Sequence, residues 1–231
     1  NNTAVGSSAL TANTTGADNV AVGKNALVAN TEGGSNVAIG KHALDANTTA
    51  SKNTAIGQAA LTTNTTGASN TSVGQGSLQN NTTASNNTAV GTDALNANTT
   101  GANNTAIGYE ALKTEDANGN NTAIGYQALK TLNAGADSET TAIGYLAGTA
   151  LTTGVENVLI GGRAGDALTD ADYNVAIGKG SLTGDTKGSK SVAVGYQTLV
   201  NQNFTSSTDT YNTAVGFEAG NDITTGVNNT L

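Results

Sequence analysis

A short phrase, Asn-(Thr/Val)-Ala-(Val/Ile)-Gly, recurs in phase along the whole 231-residue chain. Its last residue, here called the repeat glycine, is followed by the next one 17 residues later in every step except Gly125 to Gly144 and Gly195 to Gly216. A fixed period of this kind is typical of solenoids, in which each repeat packs only against its neighbours. We therefore predict a single continuous repeat domain over residues 1–231, with thirteen coils of about 17 residues.

The residues before the repeat glycine indicate one short strand in each copy. Thr or Val, then Ala, then Val or Ile precede this glycine, and the β-branched residues together with abundant Asn, Thr and Gly disfavour helix. Alternation along a strand places the Thr/Val and Val/Ile columns on one face and the Asn and Ala columns on the other. The predicted fold class is all-β, a parallel β-solenoid or β-roll, and the Asn column is expected to form an amide ladder.

The remainder of the repeat is expected to form turns and part of the core. Leu stands four residues after the repeat glycine in ten copies, and the other three copies have Gly there and an aliphatic residue three positions later. We expect the aliphatic filling to be displaced in those three coils rather than lost. The repeat glycine and a second glycine, ten residues after it in eight copies, are expected to supply turns of unusual φ. The extra residues of the two longer repeats, 136–139 and 206–211, are expected to be surface loops.

The strand phrases also carry a resemblance to known fibres. Residues 19–23 and 36–40 resemble the S-V-A-I-G head repeats of trimeric autotransporter adhesins, which form a left-handed parallel β-roll trimerised about its long axis. Residues 104–112 and 157–168 resemble repeats of bacteriophage tail-fibre proteins. The resemblance covers the whole chain and implies a homotrimeric rod. Both ends interrupt a repeat, and we expect a segment of a longer fibre.

The two faces of the strand need different roles in such a rod. We predict that the Ala column meets the other chains and that the Val/Ile column fills the interior of the roll. The predicted core column consists of Val5, Val22, Ile39, Ile56, Val73, Val90, Ile107, Ile124, Ile143, Ile160, Ile177, Val194 and Val215.

The residue after the repeat glycine is aromatic in five copies. A stacked aromatic strip could contact a glycan or receptor, or it could be a packing ladder that stiffens the rod. The column comprises Tyr109, Tyr126, Tyr145, Tyr196 and Phe217.

Catalytic chemistry has little material in this chain. There is no Cys, and the single His42 stands in a variable column. No metal-ligand spacing recurs, and acidic pairs such as Glu115-Asp116 are expected in solvated corners. The sequence therefore predicts a protein that is not an enzyme and has no cofactor. A net charge of −8 argues against nucleic acid as a partner, and no apolar run is long enough for membrane insertion.

Taken together, these observations predict the structural shaft of an extracellular trimeric fibre. The most favoured version is a phage tail fibre, or a phage-like surface fibre, that contributes to host or surface attachment. The alternative is the head or stalk of a bacterial trimeric autotransporter-type adhesin on the cell surface. Any contact with a cell-surface glycan or receptor is expected through regions outside this segment. Two remoter alternatives are an ice-binding β-solenoid with a Thr array and an acyltransferase-like left-handed helix.

Overall fold

A computed structural model describes residues 1–135 and 137–231, which divide into two compact units, Asn1–Ala117 and Asn118–Leu231. Both units consist of short parallel strands joined by turns, and none of the described residues is helical. The prediction of one continuous domain stays a prediction.

The first unit contains seven strands of three residues, and each strand ends immediately before a repeat glycine. Each strand pairs in parallel with the next one along the chain, so that Ala21 lies opposite Ala38 and Ala38 opposite Ala55. Copies of one sequence position therefore stack in register. The strands are β1 (Thr3–Val5), β2 (Val20–Val22), β3 (Val37–Ile39), β4 (Thr54–Ile56), β5 (Thr71–Val73), β6 (Thr88–Val90) and β7 (Thr105–Ile107).

The second unit continues the same pattern with six strands of three residues and adds two short ones. The strands are β8 (Thr122–Ile124), β9 (Thr141–Ile143), β10 (Val158–Ile160), β11 (Val175–Ile177), β12 (Gly188–Ser189), β13 (Val192–Val194), β14 (Thr208–Asp209) and β15 (Thr213–Val215). Strands β8, β9, β10, β11, β13 and β15 pair in parallel in that order, and β12 pairs with β14. The predicted all-β parallel solenoid is confirmed, with about 12 coils rather than thirteen, because thirteen strands bound twelve intervals.

The turns of each coil use left-handed backbone at fixed positions. The repeat glycines have φ between +131° and +142°, as predicted for this turn. The Leu column is also left-handed: Leu27, for example, is fully buried at φ 51°. This conformation is uncommon for a residue with a side chain, and tertiary packing must hold it. For the second glycine column the prediction was wrong in most copies, since Gly33 and Gly67, for example, lack positive φ and Ala50 occupies the equivalent position. Gly135 is the exception, with a φ of +74°.

From β2 onward the Ala column lies inside the coil and the Val/Ile column faces outward, the reverse of the prediction. Ala38 and Ala55 are fully buried, whereas Ile39 and Ile56 are 38% and 37% exposed. The reason is that Leu side chains from the opposite wall fill the coil and leave room only for Ala beside the strand. The predicted core column is therefore wrong in every copy, because none of its members is buried: Val5, Val22, Ile39, Ile56, Val73, Val90, Ile107, Ile124, Ile143, Ile160, Ile177, Val194 and Val215.

One coil in which the large and small residues change places supports this explanation. The two walls concerned are the strand, which carries the Ala column, and the opposite segment, which carries the Leu column. Leu159 stands in the Ala column and is fully buried, and Gly148 and Gly165 stand in the Leu column of the flanking coils. A Cβ on Gly148 would lie 2.7 Å from Leu159 Cδ1, and one on Gly165 would lie 2.8 Å from Leu159 Cδ2. One large residue in the strand therefore replaces two in the opposite wall. Leu151 and Leu168 are also fully buried, which confirms the displaced filling predicted for these two coils.

Two columns of buried Asn stabilise the coils, and the amide ladder is not in the predicted one. In the strand column, Asn36 Oδ1 accepts from the main-chain N–H of Asn53 at 3.0 Å, and Asn36 Nδ2 donates to the carbonyl of Ala50 at 2.9 Å. The side-chain ladder runs instead through the residues seven after the repeat glycine. There Asn47 Nδ2 donates to Asn30 Oδ1 at 2.8 Å. Stacked side chains in this column satisfy one another within a fully buried interior.

The two longer repeats accommodate their extra residues differently. Of residues 136–139, Ala136 lies outside the described residues, Ser138 is buried, and Asp137 Oδ1 accepts from the N–H of Gly119 at 2.9 Å. The other insertion includes β14, so it is a short strand paired with β12 rather than only a surface loop. Below it the buried Asp185 accepts hydrogen bonds from Gln202 Nε2 at 2.6 Å and from the main-chain N–H of Phe204 at 2.9 Å. The buried carboxyl group beside the insertion is thus satisfied by hydrogen bonds from neutral amides.

Candidate functional site

The outward face of the strands forms a regular surface in each of the two units. It is formed by the Thr/Val column and the Val/Ile column, which contain no charged residue. The Val/Ile side chains remain substantially exposed, at 38% for Ile107, 36% for Ile143 and 36% for Ile177. An in-register apolar row of this kind on a single chain is unusual for a surface in contact with water only. We call this surface the strand face.

The predicted aromatic column lies just beyond the repeat-glycine turn, and its rings are exposed. Tyr126 stacks on Tyr145 with ring centroids 5.5 Å apart and an angle of 18°. Tyr196 stacks on Phe217 at 5.2 Å and 11°. Tyr109 belongs to the first unit and is 44% exposed. The column is therefore present, as two stacked pairs in the second unit, and its role in binding stays a prediction.

Between the two stacked pairs the aromatic column is interrupted. The coils after Tyr145 have Gly162 and Lys179 at this position before the column resumes at Tyr196. The sequence prediction did not include this gap, because it considered only the copies that have an aromatic residue. The available signal was the two consecutive coils without a ring between coils that have one.

Ionisable side chains form local clusters along the coils. Lys113 Nζ lies 2.7 Å from Glu110 Oε1 and 3.2 Å from Asp93 Oδ2. The hydrogen bond to Glu110 is the main cause that raises the pKa of Lys113, and burial opposes it. Lys190 Nζ lies 2.6 Å from Asp209 Oδ2, and this hydrogen bond raises the pKa of Lys190 and lowers that of Asp209. The Lys113–Asp93 and Lys190–Asp209 pairs connect successive coils, whereas Lys113 and Glu110 belong to the same coil.

The other ionisable residues noted in the sequence have structural surroundings. His42 is half-buried and paired with Asp45 through Nδ1. Glu115 is fully buried at the position that follows Asn98 in the amide ladder, so the expectation of a solvated corner is wrong for it. In this coil the ladder position is occupied by the carboxyl group of Glu115, whereas the earlier coils have an Asn amide there. Asp116 is exposed, and its Oδ1 accepts from Thr99 Oγ1 at 2.7 Å.

Within residues 1–135 and 137–231, no group of three or more His, Cys, Asp or Glu side chains could hold a metal ion. In the same part of the chain, no helix is long and apolar enough to cross a membrane.

Comparison with protein-family models, curated proteins and solved structures finds no match to this chain. The resemblance to adhesin and tail-fibre repeats therefore rests on the repeat phrases alone, and the β-solenoid is the part of it that the structure supports.

Proposed function

We propose that this chain is the shaft of an extracellular homotrimeric fibre of the phage tail-fibre type, with a role in host or surface attachment. The observation that carries the proposal is the strand face: an uncharged Thr/Val and Val/Ile surface that stacks in register and is left open by a single chain. Burial of such a surface against other copies is favourable at about 25 cal/mol per Å² of apolar area.

The corrected orientation of the strand changes the predicted contact between chains. The Ala column cannot form it, since Ala106 and Ala123 are buried inside their own coils. We infer that the Val/Ile column faces the other two copies at the axis. The strand face requires only that other copies cover it, and the number three comes from the resemblance to trimeric fibre repeats. The adhesin head remains the alternative, because it would use the same assembly.

Ice binding has less support from the geometry. The Thr column eight residues after the repeat glycine would have to present free hydroxyl groups to water. Instead, Thr31 Oγ1 donates to the carbonyl of Thr48 at 3.1 Å, and Thr65 Oγ1 donates to that of Thr82 at 3.1 Å. These hydroxyl donors are already used between coils.

Thiol protection tests the covered strand face. The chain has no Cys, so Ile56→Cys introduces a single thiol on the strand face and Thr66→Cys introduces one at an exposed corner. If other copies cover the strand face, the thiol at position 56 reacts with a maleimide about tenfold or more slowly than that at position 66, because reaction requires access. After denaturation the two rates become equal.

If the protein were an isolated single chain, the opposite labelling result would be expected. Because Ile56 is 37% exposed in one chain, an isolated solenoid would leave the thiol at position 56 open to the reagent. Equal labelling rates in the folded Ile56→Cys and Thr66→Cys proteins would contradict the proposed assembly.

A further inference from the structure

The gap in the aromatic column opens a pocket in the second unit. The pocket has a volume of about 450 Å³ and lies within three successive coils. This size is within the range of small-molecule sites, about 300–1,000 Å³. Its lining includes Gly162, Arg163, Lys179, Gly180, Thr183 and Tyr196.

Two glycines create the space, and packing does not require either of them to be glycine. A Cβ on Gly162 would meet no atom within 4 Å, and one on Gly180 would meet Gln197 Cγ at an ordinary 3.4 Å. The φ of Gly180, +67°, is close to the +59° of Arg163 in the equivalent position one coil earlier. The backbone therefore accepts side chains at both positions, and their absence leaves the pocket open.

The pocket also concentrates positive charge in an acidic protein. Arg163 and Lys179 are both exposed at its rim, while the chain as a whole has a net charge of −8. In the described part of the chain, neither forms an ion pair with a carboxylate. No carboxylate lines the pocket, and Asp166, behind the lining, accepts a hydrogen bond from Thr183 Oγ1 through its Oδ1. Two unpaired cations beside an open cavity attract an anionic group.

One part of the lining is an aromatic ring whose orientation is supported by a second ring. Tyr196 lines the pocket and is stacked on Phe217. A phenol ring presents an apolar face for C–H groups and a hydroxyl for hydrogen bonding. Gln197 and Thr183 add amide and hydroxyl groups to the lining. Together the walls offer a flat apolar surface, neutral hydrogen-bonding groups and two cations.

We propose that this pocket binds a carboxylate-bearing sugar unit, such as a uronic acid residue of a glycan. The guanidinium of Arg163 suits a carboxylate because its two N–H donors match the two carboxylate oxygens. Lys179 adds a second positive charge. Tyr196 contacts the C–H face of the sugar ring and Gln197 bonds its hydroxyl groups. Thr183 Oγ1 donates to Asp166, so it serves the sugar as a hydrogen-bond acceptor. All of these residues come from one chain, so the inference does not depend on trimer formation.

Titration of the whole chain with methyl β-glucuronide, followed by NMR or calorimetry, tests the site. We expect saturable binding that becomes at least about tenfold weaker in an Arg163→Gln/Lys179→Gln variant, since charge-assisted hydrogen bonds are lost. The matched control is Lys24→Gln/Lys41→Gln, which removes two charges from exposed lysines of the first unit in the column that holds Lys179 in the second. This control keeps the affinity of the unaltered protein.

A second variant tests the cavity rather than the charge. Gly162→Tyr continues the aromatic column through the pocket and is expected to abolish binding. Gln58→Tyr places the same ring in the equivalent column of the first unit and leaves binding unchanged. A thermal melt of each variant shows that it is folded, and the charge variants test the pocket independently of whether Gly162→Tyr folds.

Several results would overturn the inference. Equal binding of methyl β-glucoside, which lacks the carboxylate, would show that the cations do not recognise the ligand. Equal binding of inorganic sulfate, in competition with the glucuronide, would show a simple anion site without sugar recognition. No measurable binding, or equal affinity in the pocket variants and the controls, would remove the site altogether.

Discussion

Substitution of Gly57 by Ala is expected to lower the free energy of unfolding by about 3–5 kcal/mol, because two costs combine at this position. Gly57 has a φ of +137°, which a residue with a Cβ rarely adopts. The added methyl group would also lie 2.5 Å from the carbonyl oxygen of Gly74 in the next coil. That oxygen belongs to a backbone that hydrogen bonds hold in register, so it has little freedom to move.

Urea or thermal denaturation measures this effect, with Gly162→Ala as the matched control. Gly162 follows a repeat glycine by one residue, and a Cβ there would meet no atom within 4 Å. We expect the control to change the stability by less than about 0.5 kcal/mol. A loss in Gly57→Ala no larger than that in the control would show that the glycine column is not what allows the coils to stack.

Substitution of Asn64 by Ala is expected to cost about 3 kcal/mol, because it breaks the amide ladder in the middle of the first unit. Asn64 is fully buried, and its Nδ2 donates to Asn47 Oδ1 at 3.1 Å and to the carbonyl of Gly67 at 2.9 Å. Its Oδ1 accepts from Asn81 Nδ2 at 2.8 Å. Removal of the amide leaves these partner groups in a dry interior, where an unsatisfied polar group costs about 1–3 kcal/mol.

The control for this substitution is Asn80→Ala, on the outside of the next coil. Asn80 is exposed, and its side-chain contact to Asn96 Oδ1, at 3.5 Å, is at the limit of a hydrogen bond. Its replacement should change the free energy of unfolding by less than about 0.5 kcal/mol. Similar losses in both variants, measured by urea denaturation, would mean that the buried ladder does not contribute to stability.

The architecture could be predicted from the sequence because the same period repeats along the whole chain. Thirteen in-phase copies leave few alternatives to stacked coils, and the β-branched residues locate the strands to within one residue. Alternation also separated the two strand faces correctly. It could not show which face is inside, because both faces are small or apolar. The deciding contribution comes from Leu27 and its equivalents, whose left-handed backbone directs a large side chain into the coil from the opposite wall.

The polar columns and the pocket needed the three-dimensional structure for a related reason. A recurring Asn indicates stacking, but it does not show whether the donor to its side-chain oxygen is a main-chain or a side-chain group, which is the difference between the contacts of the two columns. Asn53, for instance, donates its own main-chain N–H to the column, whereas Asn47 uses its amide. The pocket exists because Gly162 and Gly180 have no side chains. The sequence shows these glycines, but only the structure shows which residues surround the space that they leave.

The mass of the chain in solution tests the central claim most directly. Light scattering coupled to size exclusion gives this mass without reference to shape. A particle of three times 22.7 kDa is the result that the covered strand face predicts. A well-folded particle of 22.7 kDa would contradict it, since the Val/Ile column would then remain in water. A particle of twice that mass would contradict the three-fold arrangement and leave a face-to-face pair of chains.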